Sequence, residues 1–240
     1  RFVRFSIQYS CEVSDSKAVE AIKLNLSGIK SLSKERIISE LFKIFKLKNI
    51  NILLKNTELK NIFSIIFPEF KYLDRLEKLS FLFEKNILTQ DPEFIFSILL
   101  IDETDNYEYF SHKYKISNKI KNKLEILANN YIAFKNDKNF LKRDLKKNTY
   151  LIGQTNIECL INFAYCSNLK FSEKLRKDKM IELNRLKIPT FPFNGRFLKD
   201  EGLVDGKKIG FALKELENEW IKNNFKLDQE KITNIINRAK

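Results

Sequence analysis

An all-α fold, drawn out as an elongated multi-helix bundle, follows from three features of this 240-residue chain. Only four prolines and six glycines interrupt it, so long segments run unbroken. Apolar residues recur at three- and four-residue spacing almost throughout, the period of helices that bury one face. No run of alternating apolar and polar residues is bounded by hairpin turns, so no segment reads as a strand. At 43% hydrophobic and 31% charged, the chain has the composition of a globular protein with a core to bury. Its longest apolar stretches, such as Phe94–Ile101, are too short to span a bilayer, and no membrane partner is expected.

The elements follow in order. Arg1-Phe2-Val3-Arg4-Phe5 reads as helix, with no initiator Met, cap or targeting pattern, and the expectation is that it continues something upstream. Arg1 and Arg4, three residues apart, share a face, and Phe2 and Phe5 are expected to pack the helix down. Two guanidinium forks so placed suit phosphate or base-edge contacts, although two solvated surface arginines have the same spacing. Asp15–Gly28 reads as a second capped helix. A third starts at Ser33, a good N-cap, with Glu35 in its positive first turn and Arg36 and Glu40 spaced for an ion pair. Ile37, Leu41 and Ile44 would face the core.

Further along, Lys71–Lys85 presents a wide apolar face. Asp91-Pro92 combines an N-cap with proline at the first helical position. Ser117 is placed to cap Asn118–Asn130, and helices fit Asp137–Lys147, Thr155–Ser167 and Ser172–Leu186. The texture changes at Ile188–Gly195, where prolines and glycines gather before a last helical pair, Lys207–Asn223 and Asp228–Ala239. Three regions result: a helical module over 1–46, a helical body over 47–187 and a helical tail over 188–240.

Candidate chemistry is sparse. The cysteines, Cys11, Cys159 and Cys166, form no C-x-x-C pair, and His112 stands alone, so neither a zinc site nor a disulfide scaffold is expected and a reducing cytoplasm fits. His112 reads as an ordinary surface or partly buried residue. The acidic cluster Asp102-Glu103-x-Asp105 closes an apolar helix and reads as a solvated terminus rather than a metal site. A net charge of +13 points toward phosphate-bearing partners, though Lys-, Asn- and Ile-rich spelling also places many lysines on plain solvated faces. Lys142-Arg143-x-x-Lys146-Lys147 and Lys174-x-Arg176-Lys177-x-Lys179 are basic helix faces open to either reading. In the tail, Asp205-Gly206-Lys207-Lys208-Ile209-Gly210 puts a helix N-terminus and two lysines together, with Arg196 and Lys199 near. That is either a phosphate site or a tight turn in which Gly210 lets helices approach closely.

Two of these segments resemble the neck region of bacterial class II tRNA nucleotidyltransferases, the CCA-adding and poly(A) polymerase family. There, a helix reading E-D-x-x-R-x-x-R-x-x-R-F is followed by a motif like L-S-x-E-R-I-x-x-E-L. Arg1 and Arg4 match the last two arginines of the first; Leu32, Ser33, Glu35, Arg36, Ile37, Glu40 and Leu41 match the second. The tail, Pro189-x-Phe191-Pro192-Phe193-x-Gly195-Arg196-x-Leu198 and then Gly202-Leu203-x-x-Gly206-x-x-x-Gly210 through Trp220, is similar to the tail of the family's alphaproteobacterial branch.

The resemblance implies an enzyme that adds CCA, or part of it, to tRNA 3′ ends from CTP and ATP with magnesium. Arg1 and Arg4 would face the incoming nucleotide, while Glu35, Arg36 and Glu40 would steady the neck. Arg196, Lys199, Gly206, Lys207 and Lys208 would contact the tRNA backbone, and the tRNA acceptor arm would be the partner. The family's metal-binding D-x-D is not found in this sequence, so the catalytic head is expected elsewhere, in cis or in trans. The chain alone is then expected to bind tRNA, hold no cofactor and transfer nothing. Poly(A) addition, or a helical RNA-binding or interaction protein with no enzymatic role, are the alternatives.

Overall fold

Side-chain caps start some of the helices of the computed structural model, though Ser117 makes no such cap bond to the helix that follows it; residues 1–9, 16–168 and 170–240 are described. The helices are α1 (Phe2–Gln8), α2 (Ser16–Leu24), a 3₁₀ segment (Leu26–Ser31), α3 (Lys34–Phe45), α4 (Ile52–Lys55), α5 (Thr57–Ile66), α6 (Arg75–Glu84) and α7 (Pro92–Leu100). There follow α8 (Asn106–Lys113), α9 (Asn118–Asn136), α10 (Leu145–Ile152), α11 (Gln154–Ser167), α12 (Glu173–Arg185), α13 (Gly195–Asp200), α14 (Gly206–Lys222) and α15 (Gln229–Ala239). No strand occurs among the described residues, so the fold is all-α. Ser33 Oγ accepts from Arg36 N at 3.3 Å and starts α3. Asp91 accepts from Glu93 N at 2.9 Å, with Pro92 at the first position of α7. Both satisfy backbone donors that a helix start leaves unpaired. The cap of the second helix, Asp15, lies outside the described residues.

The chain divides into two compact units: residues 1–138 with 155–181, and residues 139–154 with 182–240. In the first, an aromatic cluster joins α3, α5, α7 and α8. Phe45 meets Phe96 edge-on at 4.9 Å between centroids, and Phe70 meets Phe110 at 5.1 Å. Ile37, Leu41 and Ile44 are buried against it as their spacing predicts. Two cations, Arg75 buried and Lys78 half-buried, close helix ends. Arg75, 9% exposed, donates to the carbonyls of Ile98 (3.0 Å) and Ile101 (2.7 Å) at the end of α7 and lies 3.8 Å from the Tyr72 ring centroid. Lys78 donates to Tyr165 O at 2.8 Å at the end of α11. Positive charge is favourable there because the last carbonyls of a helix lack internal donors.

The second unit is built on the buried set Leu198, Leu203, Ile209, Ala212, Leu216, Ile232, Ile235 and Ile236 from α13, α14 and α15. Residues 139–154 belong to it because Tyr150 of α10 packs edge-on against Trp220 (5.4 Å) and Phe225 (5.6 Å), and its hydroxyl bonds Glu217. After α14 the backbone turns through Asn224 (φ 53°) and Phe225 (φ 65°), a left-handed pair that is costly for a bulky residue. Phe225 N bonds Trp220 O at 2.7 Å, and ring packing against Trp220 at 4.9 Å holds the turn.

Several local expectations are corrected. The buried face of α1 is Val3, Ser6 and Ile7; Phe5 is 41% exposed and stacks with Tyr9 instead. Helix does not run from Asp137: α9 ends at Asn136 and residues 138–144 form turns, so Lys142 and Arg143 are not on a helix face. The Asn148 amide donates to Phe140 O at 2.8 Å, and burial of Phe140 and Leu141 fixes that turn. Asp102 is no solvated terminus. It is 7% exposed, receives the Thr104 hydroxyl at 2.6 Å and faces Lys71 at 3.7 Å.

Candidate nucleic-acid interface

In the first unit, α1 is laid against α3 by one ion pair. Arg4 Nε donates to Glu40 Oε1 at 2.6 Å, with the two side chains keeping 18% and 21% of their exposure. The local spacing pairs Glu40 with Arg36, but the carboxylate is taken by Arg4, which tertiary packing brings across from α1. Lys43 adds a second positive charge at 3.7 Å. Burial alone would raise the Glu40 carboxyl. The Arg4 hydrogen bond, with the charges of Arg4 and Lys43, outweighs it and holds the carboxyl below its ordinary value.

Beside this pair lies a pocket of about 270 Å³. Its floor is apolar (Val3, Ile37, Leu41, Ile44, Phe63), and its rim carries Arg1, Arg36 and Lys43 around Glu40. Arg1 therefore lines the pocket, while Arg4 reinforces its wall, also resting 4.3 Å from the Phe5 ring centroid. Glu35 occupies the first turn of α3, where its charge suits the helix dipole.

In the second unit, Arg196, Lys199, Lys207 and Lys208 are all exposed, the first two on α13 and the others opening α14. The N-terminus of α14 is not bare: Asp205 accepts from Lys207 N at 2.7 Å, so a carboxylate already sits where a phosphate would. Lys208 donates to the backbone oxygen of Lys240. The close-packing role considered for Gly210 is not what the structure has, since a Cβ there would meet nothing within 4 Å. A glycine under constraint here is Gly202, at φ +95° in the turn between α13 and α14, a conformation L side chains rarely adopt. Trp220 is buried.

Of the other basic segments, Lys174-x-Arg176-Lys177-x-Lys179 is not uniformly solvated. Arg176 is 3% exposed and donates to Asn162 Oδ1 at 3.2 Å. His112 is exposed on α8. No group of three or more His, Cys, Asp or Glu among the described residues is placed to hold a metal ion. The cluster that came nearest in sequence is committed elsewhere, Asp102 to Thr104 and Lys71, and Glu103 to Lys135. The described carboxylates therefore do not fit the magnesium that the resemblance implies. Sequence reasoning missed the buried Arg75 and Arg176 and the half-buried Lys78, because Lys and Arg at helical spacing look alike whether they face water or a helix end.

Comparison with known proteins places these sites in context. Residues 15–73 match the family described as "Probable RNA and SrmB- binding site of polymerase A". That stretch runs from the start of α2 past α5 and includes Arg36, Glu40 and Lys43 on the pocket rim. The chain is similar to human "CCA tRNA nucleotidyltransferase 1, mitochondrial", 25% identical over 231 residues, covering 94% of this chain and 50% of the human protein. The mouse protein of the same name is 25% identical over 233 residues, with the same coverage. The zebrafish protein is 33% identical over 58 residues, 24% of this chain and 14% of its own. The chain thus spans about half the length of the human and mouse relatives it matches. The names of these relatives place them in mitochondria. No helix among the described residues is long and apolar enough to cross a membrane.

Proposed function

We propose that this chain is the RNA-holding helical portion of a tRNA nucleotidyltransferase, of the bacterial class its neck and tail motifs resemble. The observation that carries this is the coincidence of the matched stretch, residues 15–73, with the segment that supplies Arg36 and Lys43 to the cationic pocket rim. Similarity to CCA-adding relatives along 94% of the chain supports it, as does the net charge of +13. Arg1, Arg36 and Lys43 offer guanidinium and ammonium donors above an apolar floor, a combination suited to a nucleotide's phosphates and base face. The Arg4–Glu40 pair fixes the wall that presents them. In the second unit, Arg196, Lys199, Lys207 and Lys208 supply phosphate contacts to the tRNA acceptor arm, read by shape more than sequence.

In this reading, nucleotidyl transfer from CTP or ATP belongs to a catalytic head bearing the magnesium ligands, in cis or in trans. Magnesium would supply Lewis-acid stabilisation of the charge developing on the transferred phosphate. This chain's residues bind and orient RNA and nucleotide. CCA addition is preferred to poly(A) addition because the human and mouse relatives are CCA enzymes by name.

The test is direct. The purified chain binds tRNA with an affinity that falls as salt rises, by about 0.7–0.9 log units per log unit of salt for each phosphate contacted. It incorporates no labelled nucleotide until a head protein is added. Salt-independent binding, or incorporation by the chain alone, would refute the assignment.

A further inference from the structure

We propose that the first unit carries a second binding site, a nucleobase groove between α7, α9 and α11. It is built from residues outside both surfaces described above. Along α7 the inner positions Ile95, Phe96, Ile98, Leu99 and Leu100 are buried and apolar, and Ser97 breaks the series at 5% exposure. Asn130 on α9 and Asn162 on α11 break theirs, at 9% and 3%. Helical periodicity calls for apolar side chains at such buried positions. All three polar exceptions line one groove of about 400 Å³, a volume within the range of small-molecule sites, roughly 300–1,000 Å³.

Two of the three have protein partners. Ser97 Oγ donates to Glu93 O at 3.1 Å. Asn162 donates to Glu158 O at 3.0 Å and accepts from Arg176 Nη1 at 3.2 Å. Asn130 differs: its Nδ2 is buried and has no acceptor among the described residues. A buried amide donor without an acceptor carries a desolvation penalty that a ligand oxygen or ring nitrogen would relieve.

The walls narrow the ligand class. Phe94, Ile126 and Leu127 offer apolar contact, and the carboxylates near the mouth are already engaged, Glu93 with Lys123 and Asp91 in capping α7. The groove thus suits an uncharged, flat ring with an acceptor on its edge. A nucleobase has that form, with an apolar face to pack and a polar edge that an amide reads. It arrives either as an unstacked base of a bound RNA or as a free nucleoside; the RNA source alone rests on the function proposed above.

Cys159 lines the groove and is half-buried, so its thiol reports occupancy. In a Cys11→Ser background, with Cys159→Ser as the blank, the rate of thiol modification is followed as adenosine, guanosine, cytidine, uridine or a five-nucleotide single-stranded RNA is added. At least one nucleoside or the short RNA slows modification saturably, and Asn130→Leu weakens that protection about tenfold, the worth of one hydrogen bond to a buried group. Protection by nucleosides alone identifies a free ligand. Protection by RNA identifies a base delivered by the chain. Ile126→Trp, at the exposed mouth where it cannot empty the core, abolishes protection even if Asn130→Leu fails to fold. No protection by any probe, or undiminished protection in the folded Asn130→Leu variant, overturns the groove and leaves Asn130 to an ordered water. Salt-dependent tRNA binding in the same preparation is read separately; its loss with protection retained sinks the RNA assignment and not the groove.

Discussion

Removing either partner of the Arg4–Glu40 pair should loosen the wall of the cationic pocket, and the size of the effect follows from its geometry. The contact is 2.6 Å and about four-fifths buried on both sides. Exposed pairs contribute about 0.2–1 kcal/mol, whereas hydrogen bonds to charged groups shielded from water reach about 1.5–3 kcal/mol. A coupling energy of about 1–2 kcal/mol is therefore expected from a cycle of Arg4→Ala, Glu40→Ala and the double variant. At about 2–4 °C per kcal/mol for a domain of this size, losing that coupling lowers the melting temperature by about 2–8 °C. Because the folded Glu40 carboxyl is held below its ordinary value of 4.5, its contribution is full above that pH and disappears as pH falls through the depressed value. Circular-dichroism melts at neutral and acid pH measure both effects. A coupling below about 0.3 kcal/mol, or one that is unchanged in strong acid, would refute the assignment of this pair as the clamp between α1 and α3.

Four further outcomes are expected. Arg75→Met strips two carbonyls at the end of α7 of their charged donor and should destabilise the first unit by about 3 kcal/mol or more in urea melts. Asp205→Ser keeps a cap on α14 while removing a negative charge beside Lys207 and Lys208, so tRNA binding at low salt should tighten with stability nearly unchanged. The double variant Lys207→Ala, Lys208→Ala should reduce the slope of log affinity against log salt by about 1.4–1.8, whereas a solvated pair with no role would leave it alone. Burial, then the Glu217 hydrogen bond and charge, raise the Tyr150 phenol to about 12. Since the folded state holds this proton more tightly, its contribution is present below the ordinary value of 10.0 and is lost as pH climbs toward 12, which an ultraviolet phenolate titration alongside unfolding should register.

What the sequence disclosed was whatever local chemistry controls. Ser33, Asp91-Pro92 and the core stripe Ile37, Leu41, Ile44 behave as their spacing requires because caps and amphipathic faces act within a turn or two. The partner of Glu40 was hidden, since an i, i+4 arginine competes with one that arrives from another helix. The turn over 138–144 was hidden for a similar reason: Phe140 and Leu141 have helical spacing, and only the Asn148 amide and their burial reveal that the chain has left the helix. The candidate groove was invisible because Ser97, Asn130 and Asn162 lie far apart in sequence and each alone looks like an ordinary polar helix residue. The cationic surface, by contrast, was legible as charge and illegible as placement: Lys207 and Arg176 read alike, yet one is exposed and the other buried.

The aromatic triad of Tyr150, Trp220 and Phe225 ties α10 to the end of α14 and the turn that follows it, across a long stretch of chain. Recombination that replaced the segment after residue 188 would supply a tryptophan with no tyrosine to meet, so α13 to α15 do not form a self-contained cassette. Drift on either side of that seam must be answered on the other, and the two stretches should be inherited together.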